Sequence, residues 1–139
     1  MIVSDHGAKA FKGGFCINQW LIEKGYLAIK KKLNEVTKLT PEIIDWGKTK
    51  LWAEGGYYAR CFLNIKDREK SGIVKPHKLA KLKSELKNDL MNVPGHDGNL
   101  LKNKVLFPED IYEKCNGIPP DMMIYADDLN YRLIGSIGW

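Results

Sequence analysis

An aspartate and a histidine stand side by side near the start of the chain, in the sequence Ser-Asp-His-Gly at residues 4–7. They follow the apolar sequence Met-Ile-Val at residues 1–3, which predicts a buried strand that ends at this turn. Ligand sites of open α/β sheets gather at the carboxyl ends of strands, and carboxylate and neutral imidazole both bind zinc or manganese. We therefore predict a metal site at Asp5 and His6, although an ordinary capped turn would explain the same two residues.

Two arginines are candidates for binding a substrate anion. Arg60 lies within the strand-like run at residues 57–65, and Arg68 lies in the polar loop that follows. The planar guanidinium group matches the oxygens of a phosphate group, which makes both residues candidate substrate ligands. A salt bridge to a neighbour such as Glu69 or Asp67 is the competing hypothesis for each.

The three cysteines, Cys16, Cys61 and Cys115, lie far apart and form no Cys-x-x-Cys pair. This spacing argues against a disulfide framework and against a zinc knuckle. We expect three small, buried thiols.

The other histidines and a pair of aspartates are weaker candidates for metal binding. His77 begins a helix with a polar face and His96 lies in a glycine-rich loop, so both are predicted to be surface residues. The Asp-Asp pair at residues 127–128 separates two apolar runs, and it predicts an acidic turn between strands rather than a second metal site.

With 139 residues, 44% of them hydrophobic and 28% charged, the chain predicts one folded domain. No apolar run approaches the roughly 20 residues that cross a bilayer, so we expect a soluble, cytoplasmic protein with no membrane partner. The net charge of +5 suggests nucleic-acid binding as a further hypothesis. The lysines cluster at residues 30–32 and 75–87 without interleaved aromatic residues, however, which is typical of a solvated face. Nucleic acid is therefore not an expected partner.

Hydrophobic patterning predicts an α/β fold in which one core strand of a parallel sheet is followed by a mixed region. That region contains short helices, a β-hairpin and one longer amphipathic helix. Asn18 and Trp20 are predicted to be helix-face and core residues. The predicted elements are a helix at 15–24 with Gly25 as its stop, a helical turn from Thr40 to Gly47, a hairpin at 49–53 and 57–65, the long helix at 76–90, and strands at 104–107, 122–126 and 131–134.

Eight short motifs occur in a fixed order along the chain. They are Ser-Asp-His-Gly at 4–7, Ile-Asn-Gln-Trp-Leu at 17–21 with Gly-Tyr-Leu at 25–27, Asp-Trp-Gly-Lys-Thr-Lys at 45–50, Tyr-Ala-Arg-Cys-Phe-Leu-Asn at 58–64, Arg-Glu at 68–69, Gly-Ile-Val at 72–74 and Pro-Asp-Met-Met at 120–123. The set resembles the type I phosphodiesterase / nucleotide pyrophosphatase family of the alkaline phosphatase superfamily. The later motifs are similar to its predicted phosphohydrolase/phosphomutase branch. Residues 66–70 depart from the pattern, because they have Asp and Lys where the family more often has Gly and Pro.

The resemblance implies a hydrolase that binds two divalent ions, zinc or manganese, and attacks a phosphoester substrate with a metal-activated Thr or Ser. Asp5 and His6 would then be ligands of the ion that activates the nucleophile. No residue of the chain matches the family's nucleophile, so no catalytic residue is assigned. Arg60 and Arg68 are the candidate substrate ligands.

The resemblance also implies a division of the chain. Residues 1–14 would be a core strand and metal-ligand turn, residues 15–132 a cap that selects the substrate, and residues 133–139 a truncated return toward the core. We expect a C-terminal fragment that is inactive alone and needs a separate N-terminal polypeptide. The alternative hypothesis is a non-catalytic interaction module derived from the family, which forms a homo-oligomer through unpaired strand edges.

Overall fold

Short strands and helices alternate along the chain in the computed structural model, which describes residues 1–5 and 7–139. A 3₁₀ turn at Pro76–Lys78 leads directly into the longest helix. In chain order the elements are β1 (Gly13–Cys16), α1 (Ile17–Glu23), β2 (Leu51–Glu54), β3 (Ala59–Leu63), α2 (Leu79–Met91), β4 (Lys104–Leu106), α3 (Pro108–Ile111), β5 (Met122–Tyr125) and β6 (Tyr131–Ile134).

These strands form two sheets, and the fold is mixed α/β as predicted. Four strands form an antiparallel sheet in the order β2-β3-β5-β4, and β1 pairs in parallel with β6. A bridge between Gly56 and Leu133 joins the two sheets, because each backbone N–H donates to the carbonyl of the other residue at 2.8 and 3.0 Å. The tip of the hairpin is therefore fixed to β6.

The predicted hairpin forms from β2 and β3, with Leu51 opposite Leu63. Side chains alternate between the two faces of a strand, and one face here is buried at Leu51, Ala53 and Cys61. The other face carries Trp52 and its cross-strand partner Phe62, which are only half-buried. One face of this sheet thus joins the core, while the outer face presents aromatic side chains.

The helices follow the predicted patterns. In α2, Leu82, Leu86 and Leu90 recur every fourth residue and are buried. Helix α1 ends in a Schellman motif, since Gly25 has a φ of +71° and the Tyr26 N–H donates to the Leu21 carbonyl at 2.8 Å. No helix among the described residues combines the length and the apolar character needed to cross a membrane.

The structure corrects the predicted strand at residues 1–4, which belong to no strand. Met1 and Ile2 are fully exposed and Val3 is 74% exposed, whereas a buried strand needs both a hydrogen-bonded neighbour and apolar cover. The parallel pairing occurs instead at β1, which begins at Gly13.

Two further predictions are wrong. The segment from Thr40 to Gly47 forms turns rather than a helix, because Ile44 forms an isolated antiparallel bridge with Ile29. Only one of the three thiols is fully buried: Cys61 is enclosed, which raises the pKa of its thiol, while Cys16 is half-buried and Cys115 is exposed.

Candidate functional site

The predicted metal ligands lie in the N-terminal segment. Asp5 is exposed, and His6 lies outside the described residues. Within residues 1–5 and 7–139, no three His, Cys, Asp or Glu side chains are grouped so that they could hold a metal ion. Metal binding by Asp5 and His6 therefore stays a prediction.

The remaining histidines and acidic residues lie where the sequence predicts them. His77 and His96 are both exposed, and His96 Nδ1 is 2.5 Å from the Tyr131 hydroxyl. The acidic pair forms a turn between β5 and β6, where Asp128 contacts Lys104 at 3.3 Å. This lysine holds the pKa of the Asp128 carboxyl below its usual range. Lysine side chains therefore compensate the charge of the acidic turn.

Arg68 joins the end of β3 to the start of β5. Its Nη1 and Nη2 donate to the two carboxylate oxygens of Asp121 at 2.6 and 2.7 Å, and Nη2 also donates to the Leu63 carbonyl at 2.7 Å. The Leu63 N–H donates in turn to Asp121 at 2.6 Å, while Arg68 Nε donates to Glu69 at 2.9 Å. Asp121 raises the pKa of the Arg68 guanidinium through these bonds. Much of the donor capacity of Arg68 is thus used within the fold, and its role in substrate binding stays a prediction.

Arg68→Ala is expected to lower the free energy of unfolding by about 2–3 kcal/mol, because it leaves the 10%-exposed Asp121 side chain without its bidentate partner. Arg60→Ala is the matched control and is expected to cost less than about 1 kcal/mol, since its ion pair is half exposed. Urea denaturation monitored by circular dichroism measures both values. Equal costs for the two variants would contradict the structural role of Arg68.

Arg60 pairs with Glu54 directly across the hairpin. The two residues are cross-strand partners, and Arg60 Nη2 lies 2.6 Å from Glu54 Oε2. A neighbouring carboxylate therefore compensates the Arg60 charge, as the competing hypothesis requires. Arg60 also lines an open cavity of the described part of the chain, so it remains a candidate substrate ligand.

This cavity, here called the tryptophan cleft, is an open depression of about 1200 Å³ beside the outer face of β2 and β3. The segment at residues 38–41, the loop at residues 69–71 and the end of the chain from Arg132 onward form its other walls. Its lining includes the indole rings of Trp46, Trp52 and Trp139, the cations Lys38, Lys70 and Arg132, and the hydroxyl group of Ser136. Asp5 is not among the described residues that line it.

The aromatic wall of the tryptophan cleft is built from rings that pack on one another. Trp46 and Trp52 meet edge to face, with ring centroids 5.0 Å apart and planes at 89°. Trp52 also stacks on Phe62 at 5.7 Å, and Trp46 Nε1 donates to the Pro41 carbonyl at 3.1 Å. Mutual packing fixes both indole rings and leaves no parallel slot between them.

Three cations of the tryptophan cleft, Lys38, Lys70 and Arg132, form no ion pair with the residues that the structure describes. The two carboxylates of its lining, Glu54 and Glu69, are already paired with arginines. The sequence analysis did not predict Arg132 and Lys70 as candidate ligands, because only the folded chain places both in the lining of one cleft. One pattern could have indicated that Arg132 is exposed on a strand. Along β6, Arg132 stands between Tyr131 and Leu133, which are both buried.

Asn18 holds one end of the tryptophan cleft together. Its amide nitrogen donates to the carbonyls of Ala53 and Gly135 at 2.8 and 2.7 Å, and its carbonyl oxygen accepts from the Ala53 N–H at 3.0 Å. Asn18 is fully buried, and helix α1 places it between β2 and the segment after β6. The polar side chain on the predicted helix is therefore a core residue that positions two walls of the cleft.

Asn64 links two loops that line the cleft. Its amide nitrogen lies 2.9–3.1 Å from the backbone carbonyls of Trp46, Thr49 and Ser71, which belong to two different loops. The Asn64 carbonyl oxygen is buried and has no hydrogen-bond partner among the described residues. Three backbone carbonyls, each of which requires a hydrogen-bond donor, surround the Asn64 amide nitrogen. The side chain therefore turns its NH₂ group toward these carbonyls, and its own oxygen is left without a donor.

Comparison with known proteins assigns this mixed α/β chain to a class of hydrolases. Residues 1–139 match the family model of type I phosphodiesterase / nucleotide pyrophosphatase. The chain therefore belongs to this family, whose members act on phosphoesters and are generally metal-dependent. Searches of the curated proteins and of the solved structures found no match.

Proposed function

We propose that the chain forms the cap-bearing part of a two-metal phosphoester hydrolase and that Asp5 and His6 supply two of the metal ligands. The family match over residues 1–139 carries this proposal, because the match covers both the ligand motif and the region proposed as the cap. The order of the short motifs supports the predicted phosphohydrolase/phosphomutase branch. The proposal includes a cytoplasmic location, and it assigns the nucleophile to no residue of this chain.

The proposed cap comprises residues 15–132, between a core segment of residues 1–14 and a return segment of residues 133–139. The pairing of β1 with β6 supports this division, since Gly13 lies opposite Tyr131. The chain therefore enters and leaves the intervening region at adjacent positions, as an insertion into a core fold requires. The antiparallel sheet and α2 would then form the cap over the metal site.

The donor chemistry of Asp5 and His6 fits zinc or manganese, and the Asp5 side chain is accessible to an ion. Catalytic zinc usually has three protein ligands, so this pair fits part of a ligand set and further ligands would come from other residues. Divalent ions bound there would stabilise the attacking and leaving oxygens of the displacement. Asp5 and His6 would hold and orient one ion, while Arg60 and Arg68 would contact the substrate phosphate.

Asp5→Ala is expected to weaken zinc or manganese binding at least about tenfold, because it removes one of two proposed ligands. Isothermal titration calorimetry measures this loss, and Asp110→Ala is the matched control at an exposed aspartate. Unchanged affinity in Asp5→Ala would contradict the proposed site.

With either metal, we expect the chain alone not to hydrolyse bis(p-nitrophenyl) phosphate. Robust turnover that Asp5→Ala abolishes would overturn the proposal that residues 1–139 contain no nucleophile.

The exposed apolar N-terminus favours a second candidate, an interaction module that forms a homo-oligomer. Met1, Ile2 and Val3 place three apolar side chains in solvent, and such a patch is stabilised by burial against another surface. In an oligomer of this kind, residues 1–4 of one protomer would pair or pack against its partner. A monomeric mass by light scattering at high protein concentration would contradict this candidate.

A further inference from the structure

We propose that the acidic turn at residues 127–128 anchors residues 9–12 and thereby positions Asp5 and His6 as metal ligands. This proposal rests on the proposed function, because it concerns how the chain holds the segment that carries the two ligands. The aspartates of the turn are positioning residues. They act on the metal site through the lysines of the anchored segment rather than by contact with the ion.

Two lysines join the N-terminal segment to the acidic turn. Lys9 Nζ donates to the Asp128 backbone carbonyl at 2.7 Å and lies 3.6 Å from an oxygen of the Asp128 carboxylate. Lys12 Nζ lies 3.6 Å from an Asp127 carboxylate oxygen, and the Lys12 N–H donates to the Asn130 carbonyl at 2.7 Å. Side chains and backbone therefore both hold the N-terminal segment against the turn.

An aromatic contact attaches the same segment to the hairpin. The Phe11 ring stacks on Tyr57, with ring centroids 6.1 Å apart and planes at 21°. Tyr57 follows Gly56, which pairs with Leu133 through the backbone and so fixes the hairpin tip to β6. The N-terminal segment is thus anchored at two places on the fold.

The backbone of the acidic turn is held in an unfavourable conformation. Asp127, Asp128 and Leu129 have φ angles of +47°, +53° and +64°, and this left-handed conformation costs free energy in residues other than glycine. Such strain persists where surrounding contacts enforce it. The Asp127 N–H donates to the Asn103 side chain, and the Asp127 carboxylate accepts from the Lys102 N–H, each at 3.2 Å. The Asp127 carboxylate is therefore fixed independently of the N-terminal segment.

The anchor shortens the tether that carries the metal ligands. Lys9 is the fourth residue after Asp5, whereas Gly13, where β1 begins, is the eighth. A chain spans at most about 3.6 Å per residue, so the anchor confines Asp5 to within about 14 Å of Lys9. Release would double the tether. Because the effective concentration of a tethered group falls roughly as the −3/2 power of tether length, the ligand pair would be diluted about threefold near the acidic turn.

Amide hydrogen exchange in EDTA tests the anchor without metal. The double variant Lys9→Gln/Lys12→Gln should accelerate exchange of the residue-12 N–H about fivefold, after correction for intrinsic rates, because it removes two exposed ion pairs. Lys9→Arg/Lys12→Arg keeps both charges and should restore slow exchange. Lys31→Gln/Lys32→Gln removes the same charge from exposed lysines elsewhere and should have no effect. Unchanged exchange in the first variant, or equal acceleration in this control, would overturn the proposal.

Manganese tests whether the anchor positions the ligand pair, because bound Mn²⁺ broadens the NMR signals of nearby residues. We expect the Asn130 N–H signal beside the acidic turn to broaden more than that of Arg68, which contacts the other end of β5 through Asp121. Lys9→Gln/Lys12→Gln should reduce the broadening of Asn130 about threefold, in proportion to the dilution. Direct binding of Mn²⁺ to the acidic turn predicts the opposite, since removal of two cations would favour it. Equal or greater broadening in the double variant would therefore overturn the proposal.

Asp5→Ala separates this proposal from the proposed function, and it should abolish the manganese broadening of Asn130. Broadening that persists in Asp5→Ala would overturn both proposals. If the chain binds no manganese but residue-12 exchange responds to Lys9→Gln/Lys12→Gln, the proposed metal site alone is refuted. If Asp5→Ala abolishes the broadening but the lysine variant leaves exchange unchanged, the anchor alone is refuted.

Discussion

Asn18→Ala is expected to lower the free energy of unfolding by about 3–5 kcal/mol, one of the two largest effects that the structure predicts. The substitution removes three hydrogen bonds at once. It leaves the N–H and the carbonyl of Ala53 buried without their partner, and the Gly135 carbonyl also loses its donor. Because an unsatisfied buried group costs about 1–3 kcal/mol, the costs accumulate to this range.

Two further variants make the Asn18 prediction specific. Asn18→Asp conserves volume but exchanges the donor for a second acceptor, so it should destabilise at least as much as alanine at neutral pH. Asn34→Ala removes an exposed asparagine and should change the stability by less than about 0.5 kcal/mol. Urea denaturation at pH 7 measures all three variants. A cost for Asn18→Ala as small as that of Asn34→Ala would contradict the role of Asn18 as a link between β2 and β6.

Local patterns predicted the elements whose geometry is set by neighbouring residues. The four-residue spacing of Leu82, Leu86 and Leu90 specifies the buried face of α2, and Gly25 ends α1 because it accepts a positive φ. The alternation around Cys61 specified the hairpin in the same way. In each case the interactions that determine the element join residues that are close together in the sequence. The local sequence pattern is therefore enough to predict the element.

Contacts between distant residues explain what the sequence did not predict. Residues 1–3 have the composition of a strand, yet a strand forms only where a partner pairs with it, and β6 pairs with β1 instead. The tryptophan cleft escaped prediction for the same reason, since Trp52 and Arg132 belong to different sheets. The family resemblance predicts metal binding by Asp5 and His6, which stays a prediction, whereas the charged lining of the cleft follows from the fold.

The loop at residues 66–70 shows how a departure from the family pattern can be accommodated. Asp67, in the segment where the family more often has Gly and Pro, adopts a φ of +68°. This left-handed conformation costs glycine nothing, and aspartate tolerates it better than most residues. The Lys66 N–H still donates to the Val74 carbonyl at 2.9 Å, so the loop closes despite the substitution.

Gly72→Ala is expected to lower the free energy of unfolding by about 3 kcal/mol or more, because a Cβ atom at this position would overlap the Ile65 carbonyl and lie 2.7 Å from the Lys66 nitrogen. Backbone atoms cannot move aside as a flexible side chain can. The loop would have to open, and the bridge between Ile65 and Val74 would be lost with it.

Two other glycines separate overlap from backbone strain. Gly47→Ala places its Cβ 3.5 Å from an Asp45 side-chain oxygen without a positive φ, so it should cost less than about 0.5 kcal/mol. Gly25→Ala meets no atom within 4 Å but keeps a φ of +71°, so it should cost about 1–2 kcal/mol from strain alone. Denaturation in urea should therefore rank the variants Gly47, Gly25, Gly72 in order of increasing loss. If Gly72→Ala is as stable as Gly25→Ala, the loop accommodates the added Cβ atom without opening. The close approach of residues 65 and 72 would then not be what holds the loop closed.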